Sequence, residues 1–205
     1  MVRIKICGIT NLEDALVAIE QGVDSLGFIL AESPRQVSPD LVKRIVENLP
    51  PFVNKVGVFV DEELAKVKEI ASYCGLDTVQ LHGSESPEYC QKLAKLTVVK
   101  AFRIKDKLPW VELKDYAEVV TAYLLDTYVA GQAGGTGETF NWNLAEQAKE
   151  AGPIILAGGL KPENIDQAIC EVAPYGVDVS SGIEAEPGVK DHDKLVELVD
   201  KVRSV

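Results

Sequence analysis

Residues 3–30 read RIKICGITNLEDALVAIEQGVDSLGFIL. In the opening run, Ile4 and Ile6 alternate with Arg3, Lys5 and Cys7, which is the two-residue period of a strand with one face toward apolar packing and the other toward a separate interior. Asn11 then precedes a stretch whose apolar residues recur at helical spacing, and Ser25–Leu30 returns to a short apolar run. Strand, helix and strand in this order form a β-α-β unit, whose two strands run parallel.

The unit repeats along the chain. Strands are predicted at Arg3–Cys7, Ser25–Leu30, Asn54–Val60, Thr78–His82, Val98–Phe102, Tyr123–Asp126, Ile154–Ala157 and Val177–Ser180. Helical spacing follows each, over Asn11–Gln21, Pro39–Asn48, Glu62–Cys74, Pro87–Lys95, a weaker segment near Pro109–Tyr116, then Asn143–Glu150, Pro162–Val172 and Asp191–Arg203. Asn11, Ser38 and Ser86 serve as N-caps, with Pro39, Pro87 and Pro162 near first-turn positions. Eight alternations favour a closed barrel, because an open sheet of that width would leave two strand edges exposed. The expectation is an α/β chain forming a single (β/α)8 TIM barrel domain over residues 1–205, with its active site at the C-terminal ends of the strands.

Composition limits the function. A formal net charge of −11 disfavours nucleic acid and anionic membranes, both of which require a basic surface. The start, MVRIKICGIT, has no apolar signal core, and no segment approaches the ~20 apolar residues of a spanning helix, so a cytoplasmic protein is expected. Cys7, Cys74, Cys90 and Cys170 lack the paired spacing of a zinc or redox site, and only two histidines are present, so no metal and no cofactor are expected.

Polar residues at strand ends and in the loops beyond them are the candidates for chemistry. Gly158 and Gly159 after the seventh strand, with Ser180, Ser181 and Gly182 after the eighth, offer backbone N–H groups where such barrels bind phosphate, although each is also an ordinary turn sequence. The glycine-rich run 131–137 reads equally as a mobile lid or a solvated loop. Cys7 points into the barrel by parity. A buried, inert thiol is the common fate of cysteine; a base requires a neighbour that stabilises the thiolate, and Lys5 on the same face is the candidate. An interior lysine needs a counter-ion, and Asp178, with the right parity on the strand closing against the first, is the candidate partner of Lys5 or of Arg3. Asp126 ends an apolar strand and reads either as a helix or turn cap or, across the barrel mouth from Cys7, as one member of an acid and base pair that moves protons between carbon and oxygen. Arg35 suits bidentate binding of a carboxylate, or solvation in a loop. His82 is a substrate contact or a packed rim residue, and His192 reads as a surface or capping group. Asp61-Glu62-Glu63 and Asp191 read as acidic first turns of helices.

The chain resembles the phosphoribosylanthranilate isomerase family of tryptophan biosynthesis over nearly its whole length. The resemblance rests on KICGIT at 5–10, SLGFI at 25–29, SPR at 33–35, VGVFV at 56–60, VQLHG at 79–83, LLDT at 124–127, GGTG at 134–137, LAGGL at 156–160 and GVDVSSGIE at 176–184. It implies an isomerase that needs neither metal nor cofactor, acting on a phosphorylated small molecule by an Amadori rearrangement. Cys7 would be the general base and Asp126 the general acid. Arg35 would face the anthranilate carboxylate, with the backbone around Gly159 and Ser181 at the phosphate. Either a monomer or a homodimer is compatible with the sequence. Two rivals share the phosphate turns: indole-glycerol-phosphate synthase, which wants a Lys and Glu set, and a pentose-phosphate epimerase, which wants metal-binding His and Asp. Neither set is present. A non-enzymatic sensor of a phosphorylated metabolite would bind without turnover.

Overall fold

In the computed structural model, which describes residues 1–127 and 141–205, eight parallel strands close into a barrel in sequence order. The strands are β1 (Arg3–Cys7), β2 (Ser25–Ile29), β3 (Asn54–Phe59), β4 (Thr78–Leu81), β5 (Thr97–Ile104), β6 (Ala122–Thr127), β7 (Ile154–Leu156) and β8 (Gly176–Val179). Closure is made by β1 against β8, where Lys5 pairs in register with Asp178. The helices are α1 (Leu12–Glu20), α2 (Pro39–Val46), α3 (Leu64–Cys74), α4 (Pro87–Gln91), α5 (Trp110–Asp115), α6 (Trp142–Ala148), α7 (Ile165–Val172) and α8 (His192–Ser204). Among the described residues, no helix is long and apolar enough to cross a membrane.

Strand alternation divides the packing into two regions. Ile4, Ile6, Leu26, Phe28, Val79 and Leu81 face the helices and join the main core. Inside the barrel, Val99, Ala101, Ala122, Leu124 and Ala157 form a small apolar floor beneath β5–β7, while Lys5, Gln80 and Asp178 make the opposite interior polar. The cavity above this floor has a mixed lining, with apolar Ile29, Val58 and Leu124 beside polar Gln80, Asp126 and Asp178.

Caps at Asn11, Ser38 and Ser86 accept from Asp14, Leu41 and Tyr89 backbone N–H groups, as expected. Other details differ. Pro162 lies before α7, because Asn164 closes a turn by accepting from the Lys161 N–H and delays the helix to Ile165. The Asp61 segment is not a helix first turn: Asp61 is left-handed (φ 49°) and its carboxylate accepts from both the N–H and the hydroxyl of Ser84. Asp191 is an N-cap, accepting from the Lys194 N–H. The helix predicted to reach Lys95 stops at Gln91, with irregular turns beyond. A hairpin of β9 (Glu184–Glu186) and β10 (Val189–Lys190) adds to the repeat after β8. The glycine-rich segment 131–137 lies outside the described residues.

Candidate active site

Cys7, Arg35, His82, Asp126, Gly158, Gly159, Ser180 and Ser181 line one cavity of about 450 Å³ at the C-terminal mouth of the barrel, within the range of small-ligand sites. Gly182 stands beside it in a short 3-10 turn, Ser181–Ile183. A Cβ on Gly182 would overlap the Leu160 carbonyl, so glycine allows the two phosphate-turn candidates to pack together. Gly158 and Gly159 both have positive φ, which turns the chain after β7 at no steric cost. Ser180 Oγ is buried and has no hydrogen-bond partner among the described residues, leaving a donor available to an anion.

Cys7 ends β1 opposite Gly27 of β2. A Cβ on Gly27 would come within 2.8 Å of Cys7 Sγ and 3.0 Å of Lys5 Cε, so this glycine makes room for the thiol and the lysine stem. Lys5 Nζ donates to Asp178 Oδ2 at 2.8 Å, both groups being buried, while Arg3 pairs instead with Asp24. Burial pushes the Cys7 thiol above its ordinary range; Lys5 pulls it down, Asp178 pushes it up and Lys190 pulls it down. The lowering expected from Lys5 is thus present but outweighed. Burial opposes the charge on Lys5 as well, yet Asp178 and then Cys7 hold its pKa above the ordinary value.

Asp126 accepts from the Thr127 N–H at 2.9 Å, which orients its carboxylate. His82 stands next to it, with Nε2 at 3.4 Å from Asp126 Oδ2 but without hydrogen-bond alignment, and Nδ1 at 3.4 Å from Gln80 Nε2. An amide nitrogen only donates, so that contact favours the tautomer with its proton on Nε2, facing Asp126. His192 is away from the cavity and its Nε2 meets Asp14 at 2.8 Å.

Arg35 is not a solvated loop residue. Its Nε and Nη2 form a fork with Glu184, at 2.8 Å to Oε1 and at 3.0 and 2.7 Å to Oε2. Hydrogen bonding to Glu184 raises its pKa. Glu184 also accepts from Lys190 Nζ at 2.8 Å; burial would raise this carboxyl, yet Arg35 and Lys190 hold it below its ordinary value. Lys190 donates further to the Cys7 carbonyl at 2.7 Å, and burial pulls its ammonium below the ordinary value. Glu184, Lys190, Gly27 and Gln80 carried no individual role in the sequence. A Pro187-Gly188 turn between charged neighbours was the only local signal for the hairpin that carries the first two.

The chain matches the family described as N-(5′-phosphoribosyl)anthranilate (PRA) isomerase over residues 4–201. It is 52% identical over 206 residues to N-(5′-phosphoribosyl)anthranilate isomerase of Geobacter sp. (strain M21), covering 100% of both chains. Among solved structures it is similar to a phosphoribosyl anthranilate isomerase in complex with reduced 1-(o-carboxyphenylamino)-1-deoxyribulose 5-phosphate, with a TM-score of 0.89, 43% identity and complete coverage of both chains. It is similar also to monomers generated from dimeric phosphoribosylanthranilate isomerase of Thermotoga maritima, with a TM-score of 0.90, 43% identity and the same coverage.

Proposed function

The chain belongs to the N-(5′-phosphoribosyl)anthranilate isomerase family, and on that premise we propose that Cys7 and Asp126 divide the proton transfers of its reaction. The reaction is the Amadori rearrangement of N-(5′-phosphoribosyl)anthranilate to 1-(2-carboxyphenylamino)-1-deoxy-D-ribulose 5-phosphate, an aldose–ketose isomerisation in tryptophan biosynthesis. The observation that carries the assignment is that a thiol and a carboxyl share one cavity with a fixed arginine and two glycine turns.

The Asp126 carboxyl gives its proton to the furanose ring oxygen as the C1′–O bond breaks and the anthranilate nitrogen lone pair forms C1′=N. The open-chain iminium is cationic. The Cys7 thiolate then takes the C2′ proton, and the C–H electrons form C1′=C2′ while the C=N pair returns to nitrogen. The Asp126 carboxylate then takes the enol O2′ proton and the Cys7 thiol returns its proton to C1′, which completes the ketone, restores both groups and leaves the oxidation level unchanged. Because burial favours the neutral thiol, the cation developing beside Cys7 supplies what the resting site lacks, a reason for the thiolate to form in the complex. Arg35 would hold the anthranilate carboxylate through the N–H groups that Glu184 leaves free. Gly158, Gly159, Ser180, Ser181 and Gly182 would bind the phosphate, and His82 would contact the substrate beside Asp126.

Turnover is followed by loss of anthranilate-conjugate fluorescence. Cys7→Ser and Asp126→Asn should each lower kcat by about 10²-fold or more with KM little changed, and near-normal turnover in either removes that residue from the scheme. We further assign the whole chain to one barrel domain in a cytoplasmic setting, and two copies to a homodimer. The dimer is supported by the dimeric relative and by Phe52, fully exposed at φ 71° on the rim of a second cavity at the N-terminal face of the barrel.

A further inference from the structure

We propose that Glu184 and Lys190 are positioning residues that bridge Arg35 to Cys7, so that the hairpin after β8 sets the distance between the carboxylate-binding group and the base. The inference rests on the roles given to Cys7 and Arg35 above.

The bridge is continuous. Arg35 is locked to Glu184 by its fork, Glu184 Oε1 reaches Lys190 Nζ at 2.8 Å, and the same ammonium grips the Cys7 carbonyl at 2.7 Å. Each member is removed from water: the Lys190 side chain is 0% exposed and that of Glu184 5%. Burying such charges is costly, and a packed apolar cluster would hold a hairpin as well or better. The hairpin also has other anchors. Thr10 Oγ1 donates to the Gly188 carbonyl, the Lys190 N–H reaches Asp14 at 2.9 Å, and the Asp191 N–H reaches the Ile183 carbonyl at 2.9 Å. Glu184 Oε1 also accepts from the Gly188 N–H at 3.4 Å and Lys190 Nζ reaches the Ser180 carbonyl at 3.5 Å, but the strap has fastenings that need no charge, and the shortest contacts of this pair to other residues are those to Cys7 and Arg35, both at 2.7 Å.

Two consequences follow for catalysis. An arginine free to sample rotamers would lose that freedom on binding, whereas a forked one presents its remaining donors already oriented. Across Arg35, Glu184 and Lys190 the charge sums to one positive, which a single substrate carboxylate neutralises. Around the thiol, Lys5 of β1, Asp178 of β8, Lys190 of β10 and Arg35 beyond β2 are the charged groups in play. Of these, Lys190 alone holds the backbone of Cys7 itself.

The test uses Glu184→Gln, Lys190→Met and the double variant in the full chain, beside Cys7→Ser and Arg35→Met. Steady-state kinetics are measured together with the pH profile of Cys7 alkylation by iodoacetamide, located by peptide mass. Glu184→Gln should raise KM about tenfold or more with a smaller effect on kcat; Lys190→Met should lower kcat about tenfold or more at little-changed KM and move Cys7 alkylation to higher pH. If a single variant fails to fold, the double variant, which leaves no unpaired buried charge of this pair, carries the same expectations. A lowered melting temperature with unchanged kcat, KM and alkylation profile makes the pair merely structural and overturns the proposal. If Cys7→Ser or Arg35→Met is fully active, the underlying assignment fails and takes the bridge with it. If both lose activity while the bridge variants keep theirs, the bridge alone is wrong.

Discussion

Gly27 has no side chain, yet it controls what Cys7 can do. A methyl group there meets Sγ at 2.8 Å and the Lys5 stem at 3.0 Å, so Gly27→Ala should displace the thiol and lower kcat about tenfold or more, while a circular-dichroism spectrum stays native. The two buried charges beside Cys7 act in opposite senses. Removing Lys5 with Lys5→Met should raise the pH of Cys7 alkylation, and removing Asp178 with Asp178→Asn should lower it; a shift of both in the same direction contradicts this electrostatic picture. Cys7, Lys5, Asp178 and Asp126 were legible because strand parity is local: an inward-facing residue at a strand end reaches the mouth wherever the barrel closes. Gly27, Glu184 and Lys190 were not. Their meaning lies in contacts across strands or with a hairpin that no β/α period announces, and a glycine in SLGFI looks the same whether or not a thiol occupies the space beside it.

At the scale of elements, the loop from β4 to α4 is held by a buried pair. Lys100 Nζ donates to the Gly83 carbonyl at 2.6 Å and to Glu85 Oε2 at 3.1 Å, and Glu85 in turn accepts from the Asp61 and Gly83 N–H groups. Lys100→Met leaves that carboxylate buried without its cation and should cost about 3–5 kcal/mol in urea unfolding. On the buried face of α4, burial pushes the Cys90 thiol up from 9.0 to about 11. The folded state then binds this proton more tightly than the unfolded chain, so the stability it contributes is complete below the ordinary value of 9.0 and is lost as pH rises through about 11. Unfolding midpoints measured from pH 8 upward should fall over that interval, and less so in Cys90→Ala. Helix starts at Asn11, Ser38 and Ser86 could be read from their caps, since a side-chain acceptor three residues before an orphan N–H is a short-range device. Helix ends were harder, and α4 stopping at Gln91 shows why: tertiary packing, not intrinsic preference, decides how many turns a short helix keeps.

For the molecule as a whole, the count of eight β/α units was enough to anticipate the barrel, because each unit repeats one local pattern and closure satisfies every edge. How copies associate was not in that pattern. The N-terminal face carries an exposed Phe52 in a left-handed conformation beside a cavity lined by Tyr175 and Val53. If the proposed homodimer forms through this face, the unaltered chain has the mass of two copies in solution and Phe52→Asp that of one with turnover retained; an unchanged mass removes this face from the interface. The bridge from the hairpin to the first strand has a further consequence, in time rather than in space. Lys190 and Cys7 are 183 positions apart. At ~5–20 residues per second, a ribosome makes the lysine about ten to forty seconds after the cysteine. During that interval the nascent chain has its thiol but not the ammonium that fixes it, nor the strand that closes the barrel around it. The surroundings of the proposed base are therefore complete only after β8 and the hairpin have been made, and a chain released before them carries the cysteine without its ammonium.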